Sequence, residues 1–584
     1  MMYRYIIYIL FLLSGATGLV YEVLWHRKLT LIFGSTVYAA STILSVFFSG
    51  LALGAYLIGR SVDRGRYAIS MYAVLEGLIG TFGICSPLLL SYIDDIYLRL
   101  VPHLGSGIAG ITAARFVLAY LVLLLPTTLM GATLPVLVKL VSESDCSVSF
   151  NAGRLYGVNT IGAAIGAFLA AIVLVPLFGV NESIYLTGTL NVLIGTVAFF
   201  LFRKQYRIPF RSYQAASPAR TPAQNYLLAF FCVAGFISMV YQVAWLRVLF
   251  QISGSSVYAF GLILSVFIVG LGLGSEVTTR FLMRIPSVIM ALIFVEAAAS
   301  LYTLFLVNYY DRLPLLYTYL RTSFGFWEFG GSFAINIAII SVMILFPTLL
   351  FGAAFPLLAA GYARAASTSG GDVGAVYAVN TIGGVIGSFV GGFFLLPHLG
   401  SQATVLSMAV TGLVLSMGLA FLVPKKIHKI AIVSLCVCAI ALAGTLHRPW
   451  DPRLIDSAPY ITHYSSVREQ TNAKRNDRLM YYKEGVNVNV SVFGDYQARV
   501  ININGKPMAT VVLTDKSNQY LLGHLPMLLH PDPKNSLVIG LGAGMTFSAL
   551  VRHGEPADVV EISPEVVDGA LLFRKHNRSV LDQP

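Results

Sequence analysis

Apolar residues run almost unbroken near 5–25, 36–59, 68–93, 108–140, 155–177 and 181–203. Most of these runs reach the roughly 20 residues that carry a helix across a bilayer. A polar, basic stretch follows, and the pattern then resumes near 226–250, 257–279, 286–308, 331–362, 375–396 and 402–423, with a thirteenth run at 430–446. The first run resembles a cleaved leader in length, but its copy at 226–250 lies deep inside the chain, so both are expected to be membrane spans. The pattern predicts an α-helical polytopic membrane protein, two parallel six-helix repeats plus one extra span, followed by a β meander and an α/β segment. The expected divisions are 1–203 for the first repeat, 204–225 for a basic cytoplasmic linker, 226–423 for the second repeat, 424–446 for the thirteenth segment and 447–584 for the polar tail.

The repeat is legible residue by residue. Tyr21-Glu22-Val23-Leu24-Trp25-His26-Arg27 returns 220 positions later as Tyr241-Gln242-Val243-Ala244-Trp245-Leu246-Arg247. Gly50 and Gly54 return as Gly270 and Gly274, and Leu44-Ser45-Val46-Phe47 as Leu264-Ser265-Val266-Phe267. Further on the offset is 221: Pro126, Gly131 and Pro135 match Pro347, Gly352 and Pro356, and Tyr156-x-x-Asn159-Thr160-Ile161-Gly162 matches Tyr377-x-x-Asn380-Thr381-Ile382-Gly383. An even number of crossings per copy makes the repeats parallel, the layout of carriers whose halves rock about a shared central site.

Composition sharpens this picture. Only 11% of the residues are charged and mean hydropathy is +0.76, against about 25% charged in soluble domains. The net charge of +12 is not a nucleic-acid signal: residues 447–584 hold 15 Lys+Arg against 14 Asp+Glu, while the first 446 hold 24 against 13. That excess sits in loops at Arg60–Arg66, Arg203–Arg220, Arg280–Arg284 and Lys425–Lys429, all on one side of a thirteen-span chain, which is expected to be cytoplasmic. The expected location is the inner cell membrane, multi-pass. The five cysteines (Cys85, Cys146, Cys232, Cys436, Cys438) all precede the tail and build neither a disulfide framework nor a metal site. If 430–446 spans, the tail lies opposite the basic loops; if it lies on the surface, the tail returns to the cytoplasm.

Polar residues inside the spans are the candidates for chemistry. Glu76 and Glu296 occupy matching positions of the third span of each repeat, either as cation or proton sites facing a shared cavity or as buried structural partners. Glu22, Trp25 and Arg27, with counterparts Gln242, Trp245 and Arg247, read either as interfacial anchors or as members of an ion pair. Asn159 and Asn380 stand beside glycines spaced for close helix packing, and either cross-link the bundle or meet a substrate. Pro126 and Pro347 are expected to break their spans.

In the tail, 479–483, 486–493, 499–503 and 509–513 read as an antiparallel meander (479–513) with Asn504-Gly505 as its hairpin turn. A helix is expected at 517–530. At 535–584, strand Ser536–Ile539 runs into Gly540-Leu541-Gly542-Ala543-Gly544, a helix and a second strand ending in Glu561. This order suits a nucleoside: Gly540, Gly542 and Gly544 let the backbone approach it, and Glu561 can grip ribose hydroxyls.

The stretches Ile503-Asn504-Gly505, Gly523-His524-Leu525-Pro526, His530-Pro531-Asp532-Pro533-Lys534, Leu537–Gly544 and Val560-Glu561-Ile562-Ser563-Pro564 resemble the spermidine synthase (polyamine aminopropyltransferase) family. The resemblance is closest to its membrane-fused members, whose amino-terminal half looks like residues 1–446. Gly59-Arg60-Ser61-Val62-Asp63-Arg64-Gly65-Arg66 is similar to the loop signature of the major facilitator superfamily, one residue short. The resemblance implies a Rossmann-like domain that binds decarboxylated S-adenosylmethionine or a related nucleoside beside a polyamine. Two positions depart from the family: Ala543 stands where an acid is usual, and Asn518-Gln519-Tyr520 stands for Tyr-His-Glu. No counterpart of the family's catalytic aspartate occurs through Pro584, so catalytic residues stay unassigned and the segment is expected to be a partial reading of the domain or an inactive one. The expected function is transport or binding of a polyamine or other small cation. The alternatives are a membrane-anchored aminopropyltransferase and a non-catalytic membrane scaffold; the expected partners are the lipid bilayer and the small cation, with no nucleic acid.

Overall fold

The computed structural model describes residues 2–33, 37–64, 68–104, 108–142, 145–202, 221–362, 369–486, 488–495 and 498–582. Most of the basic linker (203–220), and Gly65 and Arg66 of the loop signature, lie outside the described residues. The chain divides into two units. One comprises Met1–Leu246, Phe260–Val307 and Ile340–His447; the other comprises Arg247–Ala259, Asn308–Ile339 and Arg448–Pro584.

The first unit is built from α1 (Met2–Phe33), α2 (Val37–Arg64), α3 (Ala68–Leu100), α4 (Ile108–Val141), α5 (Asp145–Leu169) and α6 (Val175–Phe202), then from most of α7 (Pro222–Ser253) and α8 (Val257–Phe281) with α9 (Val288–Leu306). After α10 (Leu313–Phe324) and α11 (Phe329–Ile340) come α12 (Phe346–Tyr362), α13 (Ser369–Val390), α14 (Leu396–Ala420) and α15 (Lys426–Leu446). Among the described residues, 11 helical stretches are long and apolar enough to cross a membrane. Two of them, Val148–Leu201 with 54 residues and Ser369–Ala420 with 52, have length for two crossings each, which brings the total to the thirteen read from the sequence. Each double stretch turns at a glycine, Gly179 (φ 81°) and Gly400 (φ 75°), one repeat apart. Each also widens into a π-helical turn at equivalent places, Ala170–Leu174 and Gly391–Leu395.

Pairing repeats too: α3 packs on α6 as α9 packs on α14. Gly15 of α1 lets α5 approach so closely that a Cβ there would stand 2.1 Å from the Asn159 carbonyl oxygen, and Gly235 of α7 does the same for Asn380 of α13 at 2.2 Å. Contacts this short exclude any side chain at either glycine. Pro126, expected to break its span, does not; α4 runs through it. Thr127 Oγ1 donates to the Leu123 carbonyl at 2.6 Å and Thr128 Oγ1 to the Leu124 carbonyl at 2.6 Å, so polar groups near the proline are satisfied within the helix. Pro347 instead follows a π-helical turn, Ser341–Leu345.

In the second unit, α16 (Pro452–Ile455) and α17 (Val467–Asn476) precede a four-stranded antiparallel meander in simple order: β1 (Leu479–Glu484), β2 (Asn489–Phe493), β3 (Val500–Ile503) and β4 (Lys506–Thr510). Asn504 (φ 50°) and Gly505 (φ 79°) form the tight turn between β3 and β4. Because that turn takes only two residues, β4 begins at Lys506 rather than at the expected 509. Next come α18 (Leu513–Leu529), β5 (Ser536–Ile539), α19 (Met545–Val551), β6 (Ala557–Val560), α20 (Pro564–Ala570) and α21 (Arg574–Asn577). β5 and β6 pair in parallel. Val490, Val492 and Ile501 of the meander share one core with Ala543, Met545 and Phe573.

Candidate functional site

Two places in the molecule gather the candidate residues, one in each unit. In the membrane unit, Glu22, Glu76 and Glu296 are all buried. Glu76 of α3 accepts hydrogen bonds from Ser14 Oγ of α1 at 2.5 Å and from Asn191 Nδ2 of α6 at 2.7 Å. Glu296 of α9 has an Oε1 with no hydrogen-bond partner among the described residues. Neither is ion-paired to an arginine among the described residues.

The two halves meet on aromatic rings. Tyr156 of α5 and its equivalent Tyr377 of α13 stand with ring centroids 6.3 Å apart, edge to face, and Phe355 of α12 stacks on Tyr156 at 4.3 Å. Both tyrosines are half-buried, and Glu22 lies within electrostatic reach of Tyr377. Asn159 and Asn380 are half-buried at the close α1–α5 and α7–α13 crossings.

Trp25 and Trp245 are not at an interface. Each is buried and stacks on the tyrosine one turn before it, at 4.7 Å in both halves, and Trp25 Nε1 donates to Ser86 Oγ at 2.9 Å. The adjoining arginines differ: Arg27 is exposed, whereas Arg247 belongs to the second unit. On α2, Asp63 of the loop signature accepts the backbone N–H groups of Gly370 (3.1 Å) and Gly371 (2.7 Å) at the start of α13 and lies 3.1 Å from Lys139 Nζ of α4.

In the second unit the last turns of α7 are held by the tail. The Arg247 guanidinium donates to the Gly485 carbonyl and to Asn489 Oδ1 (2.6 Å) across the β1–β2 turn. Arg321 of α10 donates to the Pro459 carbonyl at 3.1 Å, and Asp311 accepts the Asp451 backbone N–H at 3.1 Å. Asp456 is buried, accepts from Ser491 Oγ, and burial pushes its carboxyl up to about 6.

The glycine loop sits between β5 and α19. Gly540, Gly542 and Gly544 have φ of 88°, 55° and 77°, the left-handed region where glycine is favoured. A Cβ on Gly540 or Gly542 would meet nothing within 4 Å, so that side of the loop is open. Glu561, just past β6, accepts the Leu541 N–H at 2.8 Å through Oε2 and the Ser563 N–H at 3.0 Å through Oε1. The carboxylate is therefore fixed at the edge of the loop, with lone pairs left over for a diol.

The departures from the family pattern have structural roles. Ala543 is buried in the tail core, and its carbonyl accepts Asn577 Nδ2 at 3.0 Å. The Gln519 carbonyl accepts Thr546 Oγ1 at 2.8 Å, and Tyr520 donates to the His576 carbonyl, tying α18 to α19 and α21. Sequence reasoning missed a shallow pocket where His524 Nδ1 stands 2.9 Å from His553 Nε2, beside Arg552 and Arg578. Partial burial and these three neighbours push His524 below the ordinary imidazole value. Arg578 and Ser579 both take a left-handed backbone there, a feature that composition does not signal.

Residues 515–582 match the family described as the Spermine/spermidine synthase domain. Among curated relatives, the polyamine aminopropyltransferase of Oceanobacillus iheyensis is 24% identical over 190 residues, which is 32% of this chain and 34% of that one. Polyamine aminopropyltransferase 1 of Streptomyces coelicolor is 27% identical over 204 residues, 35% of each chain. The chain thus spans about a third of the length of these relatives. Among solved structures, the human organic anion transporter MFSD10 (TETRAN) aligns with 71% of this chain and 99% of its own at 13% identity and a TM-score of 0.43. The nucleoside transporter NupG aligns with 73% of this chain and 100% of its own at 11% identity and a TM-score of 0.42. The chain is a multi-pass helical membrane protein whose carboxy-terminal residues match the spermine/spermidine synthase domain.

Proposed function

We propose that the protein is a carrier of polyamine-class cations in the inner cell membrane, fused to a tail that binds an adenosine-type nucleoside. The observation that carries the reading is the meeting of Tyr156 and Tyr377, with Phe355 stacked beside them and Glu22 buried nearby. Aromatic faces and a carboxylate at the seam between two parallel repeats are what an alkylammonium chain requires. Asn159 and Asn380, on the same two helices as the tyrosines, can orient the cation. Glu561 and the open glycine loop support the nucleoside half of the proposal. The test is counterflow of radiolabelled spermidine into vesicles carrying the purified full-length protein. Accumulation above protein-free vesicles is expected, and its absence across spermidine, putrescine and spermine contradicts the carrier.

The tail's contacts support one side of the membrane for it. Arg247 and Arg321, bound to the tail, lie at connections that a thirteen-crossing count puts opposite Arg280–Arg284 and Lys425–Lys429. α15 is a continuous helix of 21 residues, apolar from residue 430 onward, and is one of the helices long and apolar enough to cross. The tail is therefore assigned to the non-cytoplasmic face, where a fused reporter enzyme active only outside the cytoplasm will be on.

The second reading, an aminopropyltransferase tethered by the helices, is favoured by the names of the relatives. Against it stand Ala543, buried in the core, and Gln519 and Tyr520, engaged in internal hydrogen bonds. Incubation of the full-length protein with decarboxylated S-adenosylmethionine and putrescine separates the readings: nucleoside binding without spermidine formation is expected. Replacing Gly542 by Val is expected to weaken that binding at least tenfold, about 1.4 kcal/mol or more, because the new side chain enters the open face of the loop in a strained backbone.

A further inference from the structure

Glu76 and Glu296 hold equivalent positions, but the residues around them are not equivalent. The repeat offset pairs Ser14 with Ala234, Gly80 with Ser300 and Asn191 with Gly412. Both donors that hold Glu76 come from this set, Ser14 at 2.5 Å and Asn191 at 2.7 Å. In the second half, alanine and glycine stand in their places. A Cβ on Gly412 would lie 2.2 Å from Ser300 Oγ and 2.8 Å from Glu296 Oε1, so the serine of α9 takes the room that the asparagine of α6 takes in the first half. Volume has been exchanged between the facing helices while the donors have gone. What remains is a carboxyl group 2% exposed, with Oε1 unpartnered among the described residues.

Among the described residues, the helices packed on α9 offer no countercharge at this level. α12 has no acidic or basic residue and only Tyr362 as a titratable group; α14 has His398, fourteen residues before Gly412; α15 has Lys426, His428 and Lys429, seven or more residues before Cys436, with Cys438 beyond it. On α7, which carries Ala234, the nearest titratable groups along the helix are Cys232 and Tyr241. Cys436 packs with Leu304 and Leu413, so the thirteenth span adds an apolar cover to the α9–α14 pair. A metal cation or an ammonium group needs several oxygens around it; the side-chain oxygens that come nearest a Cβ on Gly412 are Glu296 Oε1 and Ser300 Oγ. A proton needs one oxygen.

We propose that Glu296 is the proton-exchanging site of the bundle, while Glu76, fixed by two donors, is structural. A proton from water binds one carboxylate oxygen and leaves from it to water, with no other bond made or broken. Resting on the carrier reading, this would couple polyamine movement to a proton gradient. A buried carboxyl group kept without a partner in a bilayer otherwise destabilises the fold for no return.

The first test is independent of transport: infrared difference spectra of the full-length protein in lipid, recorded across a pH titration. With the band of Asp456 removed by the background substitution Asp456→Asn in every form, a carboxylic-acid carbonyl band that titrates in the parent is expected to vanish in Glu296→Gln and to persist in Glu76→Gln. In Ser300→Gly/Gly412→Asn, which rebuilds the donor of the first half, the band is expected to titrate at lower pH. Persistence of the band in Glu296→Gln, or its loss in Glu76→Gln, overturns the assignment. In vesicles, an imposed pH gradient is expected to accelerate spermidine uptake by the wild type and by Glu76→Gln. Glu296→Gln is expected to lose that acceleration while keeping spermidine–spermidine exchange. If the band behaves as stated and no variant moves spermidine, the carrier reading fails and the proton site stands.

Discussion

The two halves of the bundle share a scaffold and differ in their polar seats. Gly15 and Gly235 admit the same neighbour at 2.1 and 2.2 Å, and the tyrosine–tryptophan stacks repeat at 4.7 Å. The π turns and the glycine bends recur one repeat apart. By contrast, Glu22 has Gln242 as its counterpart, the donors around Glu76 have no equivalents around Glu296, and Arg27 is exposed where Arg247 is half-buried. Backbone packing was kept through duplication because it tolerates no side chain. Charge was free to diverge, and the proposed proton site sits in the divergence.

The predictions probe that contrast from both sides. Gly15→Leu and Gly235→Leu are each expected to abolish the folded protein in detergent, measured as monodisperse yield, because the new side chain meets backbone; survival of either breaks the claim that the scaffold is duplicated. Arg247→Ala is expected to destabilise the second unit by about 3–5 kcal/mol, since it leaves buried acceptors unpaired, whereas Arg27→Ala should stay within about 0.5 kcal/mol. Hydrogen exchange of the β1–β2 segment in the full-length protein reads the difference.

The tail has no counterpart in the first half, and its buried acid gives it its own pH signature. Asp456 is raised from the ordinary carboxylate range to about 6, so the native tail holds a proton that the unfolded chain releases from about pH 4 upward. Tail stability is therefore full below about pH 4 and falls by on the order of 2–3 kcal/mol as pH rises through about 6. Asp456→Asn is expected to flatten that slope in thermal unfolding. Asn191→Ala removes one donor from Glu76 and is expected to lower bundle stability by about 1–3 kcal/mol in thermal unfolding.

Much of this was legible in the sequence. Period and offset announced the helices and the repeat, because a membrane span needs a long apolar run and duplication preserves spacing. Asn504-Gly505 announced its turn because few other dipeptides take two left-handed residues in succession. The place of Trp25 was not legible: a tryptophan ending an apolar run reads the same at an interface as in a core, and its partner Ser86 is 61 residues away. Tyr156 and Tyr377 were visible only as members of a glycine-spaced motif, since neither copy shows by itself that the two rings meet. Helix α16 is a single turn of four residues and α17 is mostly polar, so no apolar periodicity marks them.

The most direct measurement is equilibrium binding of spermidine to the detergent-solubilised full-length protein, by calorimetry, in wild type, Glu22→Gln, Tyr156→Leu/Tyr377→Leu and Glu76→Gln forms. The account predicts binding by the wild type and by Glu76→Gln, and at least a tenfold loss, about 1.4 kcal/mol or more, in the other two. Undiminished affinity in Glu22→Gln and in the tyrosine pair variant would contradict it.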